Sequence, residues 1–147
     1  MEISDTVTLY AYAVDHRDWS VWGEVFTPNA VLDYSAFGMG VSSPLEWQSQ
    51  LREMDHTLVS AQHLLLNQRI LLSGDTASSR VEYHMTAIFK LDESETMSII
   101  EGGGLYLDNL ERTAIGWRIV HRRAKEKWTR KGEVQSQAPL AINKDWS

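Results

Sequence analysis

Hydrophobic and polar positions follow two different periods along this chain, helical over the first third and extended over most of the rest. Residues 5–16 carry Val7, Leu9, Tyr10, Ala13 and Val14 behind Ser4 and Asp5, a spacing that predicts a capped amphipathic helix ending near Asp15. Asp18 then heads a second predicted helix in which Trp19, Trp22 and Phe26 recur at i, i+3 and i+7 until Thr27-Pro28-Asn29 stops it. Ala30 to Tyr34 reads as a short strand, and Phe37-Gly38-Met39-Gly40 as a turn. Ser43-Pro44-Leu45-Glu46 combines an N-cap, proline at the first helical position and a capping-box glutamate, which predicts a third helix from Pro44 to about His56.

From Ala61 the alternation becomes that of strands, punctuated by Ser73-Gly74-Asp75, Asp92-Glu93-Ser94 and Ala114-Ile115-Gly116. Four strands are predicted, at 61–72, 76–90, 97–112 and 117–127, and their short connections make neighbours antiparallel. Helices first and a meander afterwards give an α+β fold, a cone-shaped barrel whose strongly curved, mainly antiparallel sheet wraps the N-terminal helices. Gly102-Gly103-Gly104 in mid-strand points to a bend or a close approach of ligand or backbone. Residues 1–147 read as one domain, with 129–147 a C-terminal tail over the mouth or against a neighbour.

Composition narrows the function classes. The balance of 14 Lys+Arg against 20 Asp+Glu gives a formal charge of −6, and Arg118, Arg122, Arg123, Lys125 and Lys127 are interleaved with apolar residues, which argues against a nucleic-acid surface. There is no cysteine, so disulfides, thiolate chemistry and cysteine-ligated zinc are excluded. No apolar run approaches the ~20 residues of a membrane span, and the first residues lack a basic signal region, so the expected setting is cytoplasmic, with no membrane partner. The histidines lack metal-ligand spacing, and neither G-x-S-x-G nor G-x-G-x-x-G occurs, so no metal, serine nucleophile or nucleotide cofactor is indicated.

Two residues stand out chemically. Asp15 in AYAVDHRDW and His63 in SAQHLLLN each close a segment that would face the mouth of one cavity. An aspartate that orients and charges an imidazole makes a general base able to take a proton from carbon. Among the other histidines, His84 alternates with Arg80, Glu82 and Thr86, His121 shares parity with Trp117 and Ile119 as a core histidine would, and His16 and His56 sit at helix ends.

The segments YAYAVDHRDWSVWGEVFTPNAVLDYSAFG, AQHLLLN, SGDTA, GGGLYLDNLERT and GWRIVHR, in that order, resemble the scytalone dehydratase-like branch of the SnoaL-like, NTF2-like superfamily over residues 10–125. The resemblance implies an Asp-His dyad in a cofactor-free pocket, with Asp15 and His63 on the two catalytic positions and Tyr34 and Tyr10 on substrate-binding positions. It also implies a homo-oligomer, most simply a trimer. By the same register Val14, Lys90 and Gly104 stand where scytalone dehydratase has a tyrosine, a histidine and a serine. The implied activity is a cofactor-independent lyase of the dehydratase type acting on a small hydrophobic cyclic or polyketide-like substrate. An isomerase or cyclase would use the same dyad, and a non-catalytic ligand-binding module would use the same fold.

Overall fold

The computed structural model describes residues 1–135. Helix α1 spans Ile3–His16 and starts two residues earlier than the pattern predicts, because Glu2 serves as N-cap and closes a reciprocal capping box with Asp5. It ends where Arg17 turns left-handed (φ 54°) and the Asp18 amide donates back to the Ala13 carbonyl at 2.9 Å.

The predicted second helix is broken up. Trp19–Val21 form a 3₁₀ turn whose cap, Asp18, accepts from the Ser20 amide; α2 is the single turn Trp22–Val25; and β1 already begins at Phe26 and runs to Asp33. The i, i+3, i+7 aromatics are nevertheless packed together, with Trp22 5.5 Å from Trp19 and 5.0 Å from Phe26 between ring centroids. Burial satisfied the pattern without a continuous helix. Pro28, which has no amide to donate, falls in the stretch between Phe26 and Val31 where the β1 register shifts.

After the two-residue β2 (Val41–Ser42), α3 runs Pro44–Glu53, three residues short of the expected His56. Ser43 and Glu46 form the predicted capping box, and the Ser43 amide and hydroxyl hold the Glu46 carboxyl below its ordinary value. A depressed pKa means that this contribution is present above the unfolded value of 4.5 and is lost as pH falls through the lower folded value. Amide exchange over the first turn of α3 should therefore accelerate on acidification below 4.5 in the natural chain, whereas Glu46→Ala, which has no side-chain acceptor, should show fast exchange at both ends of that range.

Four long strands follow: β3 Leu58–Ser73, β4 Thr76–Phe89, β5 Thr96–Thr113 and β6 Gly116–Gln135. The sheet order is β2-β1-β6-β5-β4-β3, with β1 and β6 parallel and all other neighbours antiparallel. The sheet is thus mixed, curved and not closed, and its inner face holds α1. The core joins Ile3, Val7, Tyr10, Ala13 and Val14 of the helix to Val81, Tyr83, Tyr106, Leu110, Trp117 and Ile119 of the strands.

Two expectations change on β6. The tail expected from Thr129 starts later, because Thr129–Gln135 pair with β5 from Gly102 back to Thr96; the remainder, 136–147, lies outside the described residues. His121 is not a core residue either. Asn109 pairs with His121 but Leu110 with Ile119, so Val120 is an extra residue, and this bulge turns Arg122 and Ala124 inward in place of His121.

Candidate functional site

Asp15 lies in the last turn of α1 and His63 on the inner side of β3, and the structure brings them into direct contact. Asp15 Oδ1 is 2.6 Å from His63 Nδ1, and Asp15 Oδ2 accepts the His63 backbone amide at 2.7 Å. A carboxylate at a helix C-terminus is disfavoured by the helix dipole, and these two donors compensate it. Because an ionised carboxylate only accepts, Nδ1 carries the ring proton, and Nε2 of a neutral ring is left with its lone pair. Both side chains are largely covered, at 9% and 13% exposed. Arg17 supports this corner, its guanidinium bonding the Leu58 carbonyl at the start of β3 and lying 3.5 Å from Asp55.

Tyr10 sits one and a half turns before Asp15 on the same helix, its ring edge-on to that of His63 at 6.3 Å. Its phenol oxygen accepts from Tyr34 at 2.8 Å and from Trp47 Nε1 at 3.3 Å, while Tyr34 and Trp47 stack at 4.0 Å. Tyr34 closes the end of β1, so both tyrosines expected at the pocket meet beside the Asp15–His63 pair. Burial first, and then the adjoining Tyr10, push the Tyr34 phenol well above the ordinary tyrosine range, so it is a neutral donor at physiological pH.

Sequence reasoning missed the charged group beneath these rings. Arg122 is fully buried, fork-bonded to Asp108 by Nε and Nη2 at 2.7 Å each, and its guanidinium carbon lies 4.3 Å from the ring centres of both Tyr10 and Tyr106. Burial works against this charge and Asp108 outweighs it, so Arg122 stays protonated. Its Nη1 is buried without a hydrogen-bond partner among the described residues, a rare condition for a cation and one that leaves a donor for a ligand or water. The available signal was weak, an arginine alternating with apolar residues in GWRIVHRRA, and the bulge at Val120 put its parity one residue out.

The other candidates separate from this site. His84 lies on the outer face of β4, opposite Leu64, with its ring 5.4 Å from Trp128. Lys90 lies beyond the end of β4 and is exposed, so it supplies no inward group, and Met85 is the inward residue facing His63 across the strands. Gly104 faces inward where a Cβ would stand 1.9 Å from the Lys125 carbonyl and 2.7 Å from the Tyr83 hydroxyl, which explains the glycine: backbone and phenol occupy its space. Arg112 makes an exposed ion pair with Asp75 at 3.2 Å. Among the described residues no group of three or more His, Asp or Glu is placed to hold a metal ion, and no helix is long and apolar enough to cross a membrane.

Comparison with known proteins places the chain in a family. An uncharacterized protein of Mycobacterium tuberculosis is 35% identical over 126 residues, covering 83% of this chain and 81% of its own. Among solved structures, a protein from Novosphingobium aromaticivorans with a provisional scytalone dehydratase name superposes with a TM-score of 0.69 at 18% identity, covering 94% of this chain and 90% of that one. A hexachlorocyclohexane dehydrochlorinase, LinA type 2, gives 0.69 at 15% identity over 95% and 90%. At these identities the structural likeness is one of fold, here the NTF2-like fold. The SnoaL-like domain model matches residues 1–123, and the chain belongs to that family.

Proposed function

We propose that this protein is a cofactor-independent lyase of the dehydratase type, and the contact that carries the reading is the 2.6 Å approach of Asp15 Oδ1 to His63 Nδ1. His63 Nε2 takes a proton from a carbon beside a carbonyl, and Asp15 fixes the tautomer and stabilises the imidazolium that forms. The electrons of the C–H bond become the new C=C bond as the neighbouring C–O bond breaks. The imidazolium then returns the proton to the departing hydroxyl, which leaves as water. Tyr34, by turning its proton from the Tyr10 oxygen to the substrate, stabilises the oxygen on which negative charge develops, with the Arg122 charge behind Tyr10, an effect that grows where water is excluded.

Tyr10, Tyr34, Trp47, Tyr83 and Tyr106 gather beside the pair, and an aromatic surrounding in which four rings carry a hydroxyl suits a hydrophobic cyclic substrate that bears an oxygen function. Structural neighbours whose names denote loss of water and of hydrogen chloride support elimination as the outcome. An isomerase or cyclase would begin with the same abstraction, and the family also accommodates modules that bind without catalysis. The proposal includes a homo-oligomer, most simply a trimer, supported by Leu64, Leu66 and Trp128 standing exposed on the outer side of the sheet.

Mass spectrometry of products from a panel of cyclic β-hydroxy ketones tests the reading. Loss of water catalysed by the natural chain is the expected result. Turnover to a product of unchanged mass would move the assignment to an isomerase or cyclase.

A further inference from the structure

The outer face of the sheet carries a groove of about 430 Å³, away from the Asp15–His63 pair, that the proposed reaction does not use. Arg69, Arg80, Leu107, Asn109, His121 and Arg123 line it, with Leu71 and Ser78 at one side. Strand register explains the convergence. Arg69 on β3 lies directly opposite Arg80 on β4; Arg80 is opposite Leu107 on β5; and Leu107 is opposite Arg123 on β6. One transverse row of the sheet therefore holds three arginines.

Like charges directly opposite one another on neighbouring strands destabilise a sheet unless something neutralises them. Arg123 has such a partner, because Asp33 is its register neighbour on β1 and its carboxyl pKa is lowered in part by Arg123 and His121, after its own bonds from Ser35. Asp108 at the groove wall is committed to Arg122 on the inner face. Arg69 and Arg80 make no hydrogen bond or ion pair with any described side chain. In a chain of net charge −6 this is, among the described residues, an uncompensated cationic pair held in a concave place.

We propose that this groove is a second binding site, for a small organic oxyanion whose phosphate or carboxylate head lies between Arg69 and Arg80 and whose apolar body covers Leu107. Two guanidinium forks present the donors that such a head accepts. Leu71 and Leu107 supply apolar contact, and Ser78 and Asn109 can bond a polar substituent. The distance from β4 to β6, two strand spacings or about 10 Å, limits the body to roughly the size of one or two rings before Arg123 is reached.

Amide chemical shifts of the isotope-labelled full chain, followed during titration with phenyl phosphate, benzoate, inorganic phosphate and neutral phenol, test the site. Phenyl phosphate or benzoate should give saturable shifts at Arg80, Leu107 and Arg123, and phenol none; which of the two binds tighter names the head group. The double variant Arg69→Gln/Arg80→Gln should weaken binding about tenfold or more, the loss of charge-assisted bonds, while Arg52→Gln on α3 leaves it unchanged. Unchanged shifts elsewhere in the double variant will show that it folds. No saturable shift at millimolar probe, or equal affinity in the double variant, overturns the proposal. So does a wild-type chain that binds no probe but self-associates through this face and is dissociated by Arg69→Glu/Arg80→Glu in light scattering, since the occupant is then a second copy.

Discussion

His63→Ala should lower turnover by about 10²–10⁴-fold, the range over which a positioned general base contributes, while leaving the fold in place. His63 lies outside the buried hydrophobic cluster, and β3 keeps its ladder to β4 on both sides of position 63. Asp15→Asn should cost a comparable factor for a different reason. Asp15 accepts two hydrogen bonds, from the ring Nδ1–H and from the backbone amide of His63. An asparagine has one accepting oxygen and one donating NH₂ group, so one of these two donors must lose its acceptor. The backbone amide cannot change its role, whereas the imidazole can move its proton to Nε2 and accept from the asparagine. That tautomer has no lone pair facing the substrate. Because the two residues act as a unit, the double variant should be little worse than either single one. Near-normal rates in both single variants would remove the pair from the mechanism.

The largest effect on stability is expected at Asp108. Replacing it with alanine leaves the Arg122 guanidinium fully buried among Tyr10, Phe26 and Tyr106 without its counter-ion, which should cost about 3–5 kcal/mol. For a chain of this length that corresponds to a fall in Tm of roughly 10 °C. The double variant Arg122→Met/Asp108→Leu removes both charges and keeps apolar volume, so it should recover most of the lost stability. It should not recover activity, because the charge behind Tyr34 and Tyr10 is gone. Denaturant titration of the three chains, read beside turnover, separates the two roles of the ion pair. A cost below about 1 kcal/mol for Asp108→Ala would mean that water or a rearranged partner reaches Arg122.

The parts of this molecule legible in its sequence are those set by local chemistry. Ser43-Pro44-Leu45-Glu46 announced α3 because an N-cap, a proline and a capping glutamate act within four residues. The turns at Gly74 and Gly116, both at positive φ, divided the strands correctly for the same reason. Asp15 and His63 were legible as chemistry, and the geometry that joins them depends on α1 lying across β3. What could not be read is non-local. The bulge at Val120 exists because β6 pairs with β1 on one side and β5 on the other, and no residue near it signals the shift that exchanges His121 for Arg122. The extension of β6 through Gln135 is likewise fixed by the opposing Thr96–Gly103 of β5, since residues 129–135 show no hydrophobic alternation of their own. Phe26 failed as a helical residue because its burial serves a strand equally well.

Deuterium incorporation from heavy water tests the central claim most directly, since it requires proton abstraction but neither the natural substrate nor a leaving group. A panel of hydrophobic cyclic ketones, selected for binding by line broadening, is incubated with the natural chain, His63→Ala and Asp15→Asn, and exchange beside the carbonyl is followed by NMR. The account predicts exchange above the buffer rate with the natural chain on at least one bound ketone, and its loss in both variants. Bound ketones that never exchange, or exchange that persists unchanged in both variants, would contradict it.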